Sequence, residues 1–225
     1  MIVIEPYYEI DHWHPEDDFD RIIRAARMCY QSEPLNTQDE KEAFLKRLIE
    51  RGHLSPLEHS SLSVIFVTNR GVTHELVRHR IASYCQESTR YCNYSKAKFD
   101  SNDDEKHVIF RKGDGNVRFI WDSSVAYNDR ESWYHDLRDA EITYYSWLEN
   151  GYSPQIARAF LPNALKTEII VTANLREWRH IFELRCDKAA HPHIRELLTP
   201  LLREVQSKIP VVFDDILEKV ECQQM

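Results

Sequence analysis

RHRIASYCQESTRY (residues 78–91) puts Arg78, His79, Arg80 and Arg90 beside the amide of Gln86, the carboxylate of Glu87 and the hydroxyls of Ser88 and Thr89. The chain around it is acidic, with a formal net charge of −8, so this concentration of guanidinium groups is local. Planar guanidinium groups bind phosphate or carboxylate through two parallel charge-assisted hydrogen bonds, and hydroxyls and backbone N–H groups complete such sites. Arg78, Ser88 and Arg90 therefore suit a nucleotide monophosphate. The plain alternative is a solvated surface on which these arginines pair with Glu75, Glu87 and other carboxylates, and spacing by itself does not choose between the two. Gly52, Gly71, Gly113, Gly115 and Gly151 spell neither G-x-G-x-x-G nor a P-loop. If a nucleotide binds here, side chains hold it.

At 225 residues, with 42% hydrophobic and 29% charged content, the chain can bury one sizeable core, and a single domain over 1–225 is expected. The acidic balance argues against broad nucleic-acid binding, which gains from counterion release at a basic face. No stretch approaches the about 18 apolar residues of a membrane span, and the opening MIVIEPYYEIDHWHPEDD has neither the basic start nor the apolar run of a signal peptide. A cytoplasmic protein with no membrane partner is expected. Cys29, Cys85, Cys92, Cys186 and Cys222 make an odd count with no C-x-x-C pair, so they read as reduced thiols.

Along the chain, MIVIE reads as a short strand, and Ile22, Ile23, Ala26 and Cys29 or Tyr30 recur at helical spacing, predicting a helix over 18–30. Thr37 with Glu40 three residues on predicts a capped helix with Phe44, Leu45, Leu48 and Ile49 buried and Gly52 as its stop. SLSVIFVTN, residues 61–69, reads as a strand. Thr73 is expected to cap a short helix through His79, with His79 and Arg80 about 100° and 200° round from Arg78. The polar segment 102–116, with its K-G-D-G turn, reads as an exposed loop. Trp133, Leu137, Tyr144, Tyr145 and Leu148 stripe a long helix over 132–150 that Gly151 ends. Ser153 and Pro154 open another that stops near Leu161. A strand over 168–173 and helices over 176–185, 194–208 and 212–220 complete a helix-rich α+β chain with a small central β-sheet. No internal repeat or linker divides it.

Read at fixed positions, Arg78, His79, Arg80, Ser83, Ser88 and Arg90 spell R-H-R-x-x-S-x-x-x-x-S-x-R. H-L-S-P-L-E-H at 53–59, A-R-A-F-L-P at 157–162 and N-L-R-E-W-R-H-I-F-E-L-R at 174–185 accompany it. Together, and in this order, they resemble the flavin-dependent thymidylate synthases. The resemblance implies that family's fold and a methyl-forming transferase that makes thymidylate from deoxyuridylate (dUMP). It also implies a methylene group from methylenetetrahydrofolate and a hydride from NADPH by way of bound FAD. Chemistry of this kind exceeds what side chains do unaided, so the protein's share is position and electrostatics.

By resemblance, Arg78, His79 and Arg80 contact FAD, with His53 and Ser55 near the flavin and with Gln86, Asn174, Leu175, Arg176 and His180 also holding it. His180 stands where the family often has asparagine. For dUMP the matching positions are Glu75, Leu76, Val77 and Arg78, then Gln86, Glu87, Ser88, Thr89 and Arg90, and finally Arg158 and Arg185. Arg185 is the residue to which the resemblance gives a catalytic role, because in the family this arginine lies against the pyrimidine and favours its N3-deprotonated form. A fixed cation beside a developing oxyanion contributes on the order of 3 kcal/mol.

Two departures stand out from some relatives, which carry glutamine at Glu75 and asparagine-glutamate at the pair Cys85 and Gln86. Cys85 invites a nucleophile reading, since adjacent arginines lower a thiol pKa, but the family pattern often puts a non-nucleophilic residue there. Ser88 likewise is assigned to binding rather than attack. His53 with His59, His74 with His79, and His191 with His193 lack zinc-motif spacing, so no metal is assigned. Family members are homotetramers whose active sites collect residues from more than one subunit. The competing readings are a flavin-dependent hydroxymethyltransferase acting on a pyrimidine nucleotide and a catalytically silent nucleotide-binding module.

Overall fold

The computed structural model describes residues 1–31, 34–96, 106–111 and 116–224. Positions 102–105 and 112–115 of the expected exposed loop, the K-G-D-G turn among them, lie outside the described residues. In chain order the elements are β1 (Ile2–Ile4), β2 (Tyr7–His12), α1 (Pro15–Tyr30), α2 (Gln38–Glu50), β3 (Ser61–Asn69), α3 (Arg70–Leu76), β4 (Ala82–Gln86), β5 (Val108–Arg111), β6 (Arg118–Ile120), α4 (Arg130–Glu149), α5 (Pro154–Ala157), β7 (Lys166–Asn174), α6 (Leu175–Arg185), α7 (Pro192–Lys208) and α8 (Pro210–Gln224). The result is a helix-rich α/β mixture with two small sheets, ordered β5-β1-β6 and β2-β3-β7-β4. Among the described residues no helix is long and apolar enough to cross a membrane. By internal contacts the chain forms two compact units, the first made of Met1–Tyr7, Phe66–Arg78 and Cys85–Ile170, the second of Tyr8–Ile65, His79–Tyr84 and Val171–Met225.

In the first unit β1 lies between β5, antiparallel with Val3 opposite Phe110, and β6, parallel with Val3 beside Phe119. Alternation along this strand sends Met1 and Val3 into one cluster with Phe119, Leu137 and Tyr144, and Ile2 and Ile4 into another with Val67 and Ile120. A strand covered on both faces reads as an unbroken apolar run, which is why MIVIE shows no polar alternation. The stripe read on α4 is the observed one: Leu137 and Tyr144 are buried, and Trp133, Tyr145 and Leu148 pack on the same cluster. Each such large side chain contributes about 1.5–3 kcal/mol when fully buried. Glu141 on the same helix is fully buried and accepts from the Val117 N–H (3.1 Å), with the Met1 amino group at 2.9 Å and Arg138 in contact. Partners on this scale offset the cost of burying a carboxylate.

The second unit is mostly helical. α1 begins three residues before the expected start, because Pro15 fits the first helical position and Glu16, Asp17 and Asp18 suit the positive end of the helix dipole. The capping box of α2 forms as read, with Thr37 Oγ1 accepting from the Glu40 N–H (3.2 Å) and Glu40 Oε2 accepting from the Thr37 N–H (3.1 Å). Gly52 follows at φ +73°, a left-handed conformation that a side chain would strain. In α6, Trp178 is fully buried and donates its indole N–H to the Leu62 carbonyl (2.9 Å). Arg179 meets Asp215 of α8 through two hydrogen bonds of 2.7 Å.

Two strands run directly into helices through an asparagine. Asn69 ends β3 and accepts from the Val72 N–H (2.8 Å); Asn174 ends β7 and accepts from the Glu177 N–H (2.8 Å). The first junction corrects the sequence reading of Thr73. Thr73 lies inside α3, donating its hydroxyl to the Arg70 carbonyl (3.0 Å), because the better cap stands four residues earlier at the strand end. The helix accordingly finishes at Leu76, so Arg78, His79 and Arg80 do not fan round a helix. They follow it in a turn and an extended segment. The helix expected from Pro154 to Leu161 is likewise shorter, one α turn and then a 3-10 turn at Arg158–Phe160 before Pro162.

Replacing Asn69 by alanine is expected to lower stability by about 1–2 kcal/mol and Thr37→Ala by about 1. Urea unfolding checks this as a shift in midpoint at constant slope, and Asn69→Asp should recover most of the loss.

Candidate functional site

The expected substrate residues fall mainly in the first unit. Glu75 is half-buried on α3, Leu76 is buried, and Val77 and Arg78 are exposed just beyond its end. Leu76 therefore offers a ligand its backbone and not its side chain. Gln86 donates through Nε2 to the hydroxyls of Thr73 (2.9 Å) and Thr167 (3.2 Å), joining α3 to β7. Glu87 accepts from the Tyr94 hydroxyl (2.7 Å) and lies 3.6 Å from Lys166 Nζ. Burial and then the Glu87 charge push the Tyr94 phenol well above its usual range. The Glu87 carboxylate is thus committed to an internal network.

Ser88, Thr89 and Arg90 form a turn. The Ser88 carbonyl accepts from the N–H groups of Tyr91 (3.1 Å) and Cys92 (2.9 Å), and Ser88 Oγ accepts from the Arg90 N–H (3.4 Å). Arg158 donates through Nη1 to the buried Thr89 hydroxyl (2.8 Å). Arg90 donates through Nε to Gln155 Oε1 (3.1 Å), and its guanidinium lies 5.4 Å from the Tyr91 ring centre. The 88–90 turn and the 154–160 segment are thus joined by one guanidinium contact in each direction. A guanidinium has several N–H donors, and each of these contacts uses one.

The expected flavin residues fall mainly in the second unit. His53 and Ser55 are exposed, Ser55 opening a 3-10 turn at Ser55–His59. Arg80 is exposed and His79 is 4% exposed. Asn174 caps α6, and Leu175 is buried with its N–H given to the Ser60 carbonyl (3.0 Å). Arg176 pairs with Glu58 at 2.6 Å on the surface. Asn174, Arg176 and His180 line a cavity of about 500 Å³ together with Leu54, Glu58 and Ile81.

His79 is the centre of this group. Its Nε2 accepts from Arg185 Nε at 3.0 Å, its Nδ1 stands 3.6 Å from Glu177 Oε1, and its ring meets that of His180 edge-on at 5.5 Å. The Tyr84 hydroxyl donates to its carbonyl (2.6 Å). Burial, then the Arg185 charge, then His180 hold the imidazole down to about pH 4. Burial and the Glu177 charge push the Tyr84 phenol up to about 12. At neutral pH the site therefore holds an uncharged imidazole between a carboxylate and a guanidinium.

His79, Glu177 and His180 also place ligand-type atoms within 4.8 Å of one another, a two-histidine, one-carboxylate set that sequence spacing did not suggest. They meet only through the fold, since His79 follows α3 while Glu177 and His180 lie one turn apart on α6. The guanidinium on His79 Nε2 opposes a cation there, because it occupies that lone pair and adds positive charge. Sequence reading singled out neither Glu177 nor Tyr84. The E-x-x-H spacing from Glu177 to His180 was the available signal.

A family profile described as "Thymidylate synthase complementing protein" matches residues 10–211. The chain is 37% identical over 210 residues to a flavin-dependent thymidylate synthase of Geobacter sulfurreducens, covering 90% of this chain and 83% of that protein. It is 35% identical over 200 residues to the protein of that name from Mycobacterium sp. strain JLS, covering 85% and 77%. With the Mycobacterium tuberculosis H37Rv protein of the same name it shares 34% over 201 residues, covering 85% and 76%.

The chain belongs to the flavin-dependent thymidylate synthase family.

The resemblance read from R-H-R-x-x-S-x-x-x-x-S-x-R is thereby that of a true member. Cys85, one of the departures from the family pattern, is exposed on β4. His180, which stands where the family often has asparagine, is exposed beside His79.

Because His79 titrates near 4 in the folded chain and near 6.5 when unfolded, the unfolded state binds the extra proton between those values. Its contribution is complete above about pH 6.5 and is lost as pH falls toward 4, on the order of 2–3 kcal/mol. Urea unfolding from pH 7.5 to 4 should show a steeper loss for the parent chain than for His79→Gln. Equal slopes would contradict it.

Proposed function

We propose that the protein methylates dUMP to thymidylate, with methylenetetrahydrofolate as one-carbon donor, NADPH as reductant and FAD as cofactor. The observation that carries this reading is the reciprocal pairing of the 88–90 turn with the 154–160 segment, Arg158 donating to Thr89 and Arg90 to Gln155, in a chain whose relatives are named for this activity. Ser88, Thr89, Arg90 and Arg158 hold the nucleotide phosphate, where bidentate guanidinium contacts give both charge and direction. Glu75, Val77 and the backbone at Leu76 serve the rest of the nucleotide. The internal network of Glu87 and Gln86 holds the turn in shape. Arg185 lies against the pyrimidine and stabilises negative charge on the ring.

The residues around the cavity at Asn174 suit a flavin. Leu54 and Ile81 offer apolar surface to a flat ring, and Asn174 and His180 offer hydrogen bonds. The surface Arg176–Glu58 pair costs little to exchange for a phosphate. His53, Ser55, Arg78, His79 and Arg80 complete the set. A bound flavin supplies the hydride reservoir that the side chains lack. Active sites that draw residues from more than one subunit of a homotetramer, in the cytoplasm, complete the reading.

The test is the purified protein itself. A flavin absorbance near the usual 450 nm (roughly) is expected, with NADPH oxidation that depends on dUMP and methylenetetrahydrofolate and a product of thymidylate mass. A flavin-loaded sample that forms no thymidylate refutes the proposal, and a hydroxymethyl product would assign the chain to the other transferase reaction. Arg185→Ala should lower kcat by about a hundredfold while leaving the thermal midpoint near that of the parent. Cys85→Ala should keep its turnover; loss of turnover with dUMP binding intact would make Cys85 a nucleophile.

A further inference from the structure

The contacts of His79 fix which of its nitrogens carries the proton. Arginine only donates, so the 3.0 Å contact from Arg185 Nε requires a bare lone pair on His79 Nε2. A neutral imidazole then carries its proton on Nδ1. That atom faces Glu177 Oε1 at 3.6 Å, slightly beyond hydrogen-bond length and within reach of a small side-chain adjustment. Glu177 is 7% exposed and His79 4% exposed, so the interaction takes place largely out of water, where it is stronger. The Asn174 cap holds the backbone of Glu177, and Tyr84 holds that of His79. Both ends of the contact are anchored independently of any ligand.

We propose that Glu177 is a positioning residue: it holds His79 in the Nδ1–H tautomer, so that Nε2 accepts from Arg185 and sets the direction of its guanidinium group. The link to turnover rests on the reading of Arg185 given above. An uncharged imidazole relays the orientation of Glu177 to the Arg185 Nε and itself brings no negative charge to that contact. Glu177 thus acts at one remove, in the way that the outer partners of a histidine fix its tautomer and ring orientation.

Nitrogen NMR of histidine-labelled protein, free of added ligand, reads the tautomer directly. The expected result is an Nδ1–H signature for His79 in the parent chain and a shift toward Nε2–H in Glu177→Ala. Glu177→Gln, whose amide oxygen can accept the same proton, should keep the parent signature. In turnover, Glu177→Ala should lose on the order of tenfold to a hundredfold in kcat, with a smaller change in KM for dUMP, and Glu177→Gln should recover part of it. Glu177→Leu replaces the alanine variant if that one does not fold. An Nε2–H signature in the parent, a signature indifferent to Glu177→Ala, or stoichiometric zinc binding that Glu177→Ala abolishes would each overturn the proposal. Full turnover by Arg185→Ala would instead remove the catalytic reading of Arg185 and leave the tautomer result standing.

Discussion

Asn174 Oδ1 accepts the Glu177 N–H at 2.8 Å, and the first turn of α6 is built on that bond. The opening N–H groups of a helix have no partner within it, and here a strand end supplies one directly. The neighbouring Leu175 N–H goes to the Ser60 carbonyl, so the same turn is fastened to the chain just after the segment bearing His53 and Ser55. Once the start of α6 is fixed, its register follows. Glu177 and His180 come to His79, and Trp178 and Phe182 enter the core. Asn69 repeats the device at the end of β3 and fixes where α3 begins.

The arginines divide by the kind of partner they meet. Arg179 lies against Asp215 and Arg176 against Glu58, the arrangement expected of charges that tie helices and surfaces together. Arg90, Arg158 and Arg185 meet an amide, a hydroxyl and a neutral imidazole. Each of these neutral acceptors fixes the direction of one N–H without itself bringing an opposing charge. Of the four arginines assigned to the nucleotide, Arg90, Arg158 and Arg185 each have an uncharged acceptor.

Much of the fold was legible because its signals are local. The capping box at Thr37 and Glu40, the apolar run of β3, the stripe of α4 and the left-handed glycines at 52 and 151 each follow from a few neighbouring residues. The error at Thr73 came from two acceptable caps lying four residues apart, a choice settled by where β3 ends and not by either residue alone. β2, β4, β5 and β6 were not read, since strands of three to six residues draw their stability from pairing with distant segments. For the site, the guanidinium-rich stretch announced itself through residue type. Glu177 did not, because an acidic residue in the first turn of a helix is already explained by the dipole; its second task depends on His79, nearly a hundred positions away.

α6 has to satisfy the core and the site at once. Leu175, Trp178, Arg179, Ile181 and Phe182 are buried, while Asn174, Arg176, Glu177 and His180 line the cavity. A surface helix ordinarily leaves one face open to sequence drift. Here the exposed positions are Arg176, His180, Glu183 and Leu184, and of these only Leu184 lies outside the cavity lining. The consequence is evolutionary: nearly every substitution in this helix must be accepted by two masters, so its sequence should change slowly and in linked pairs even where the rest of the chain diverges.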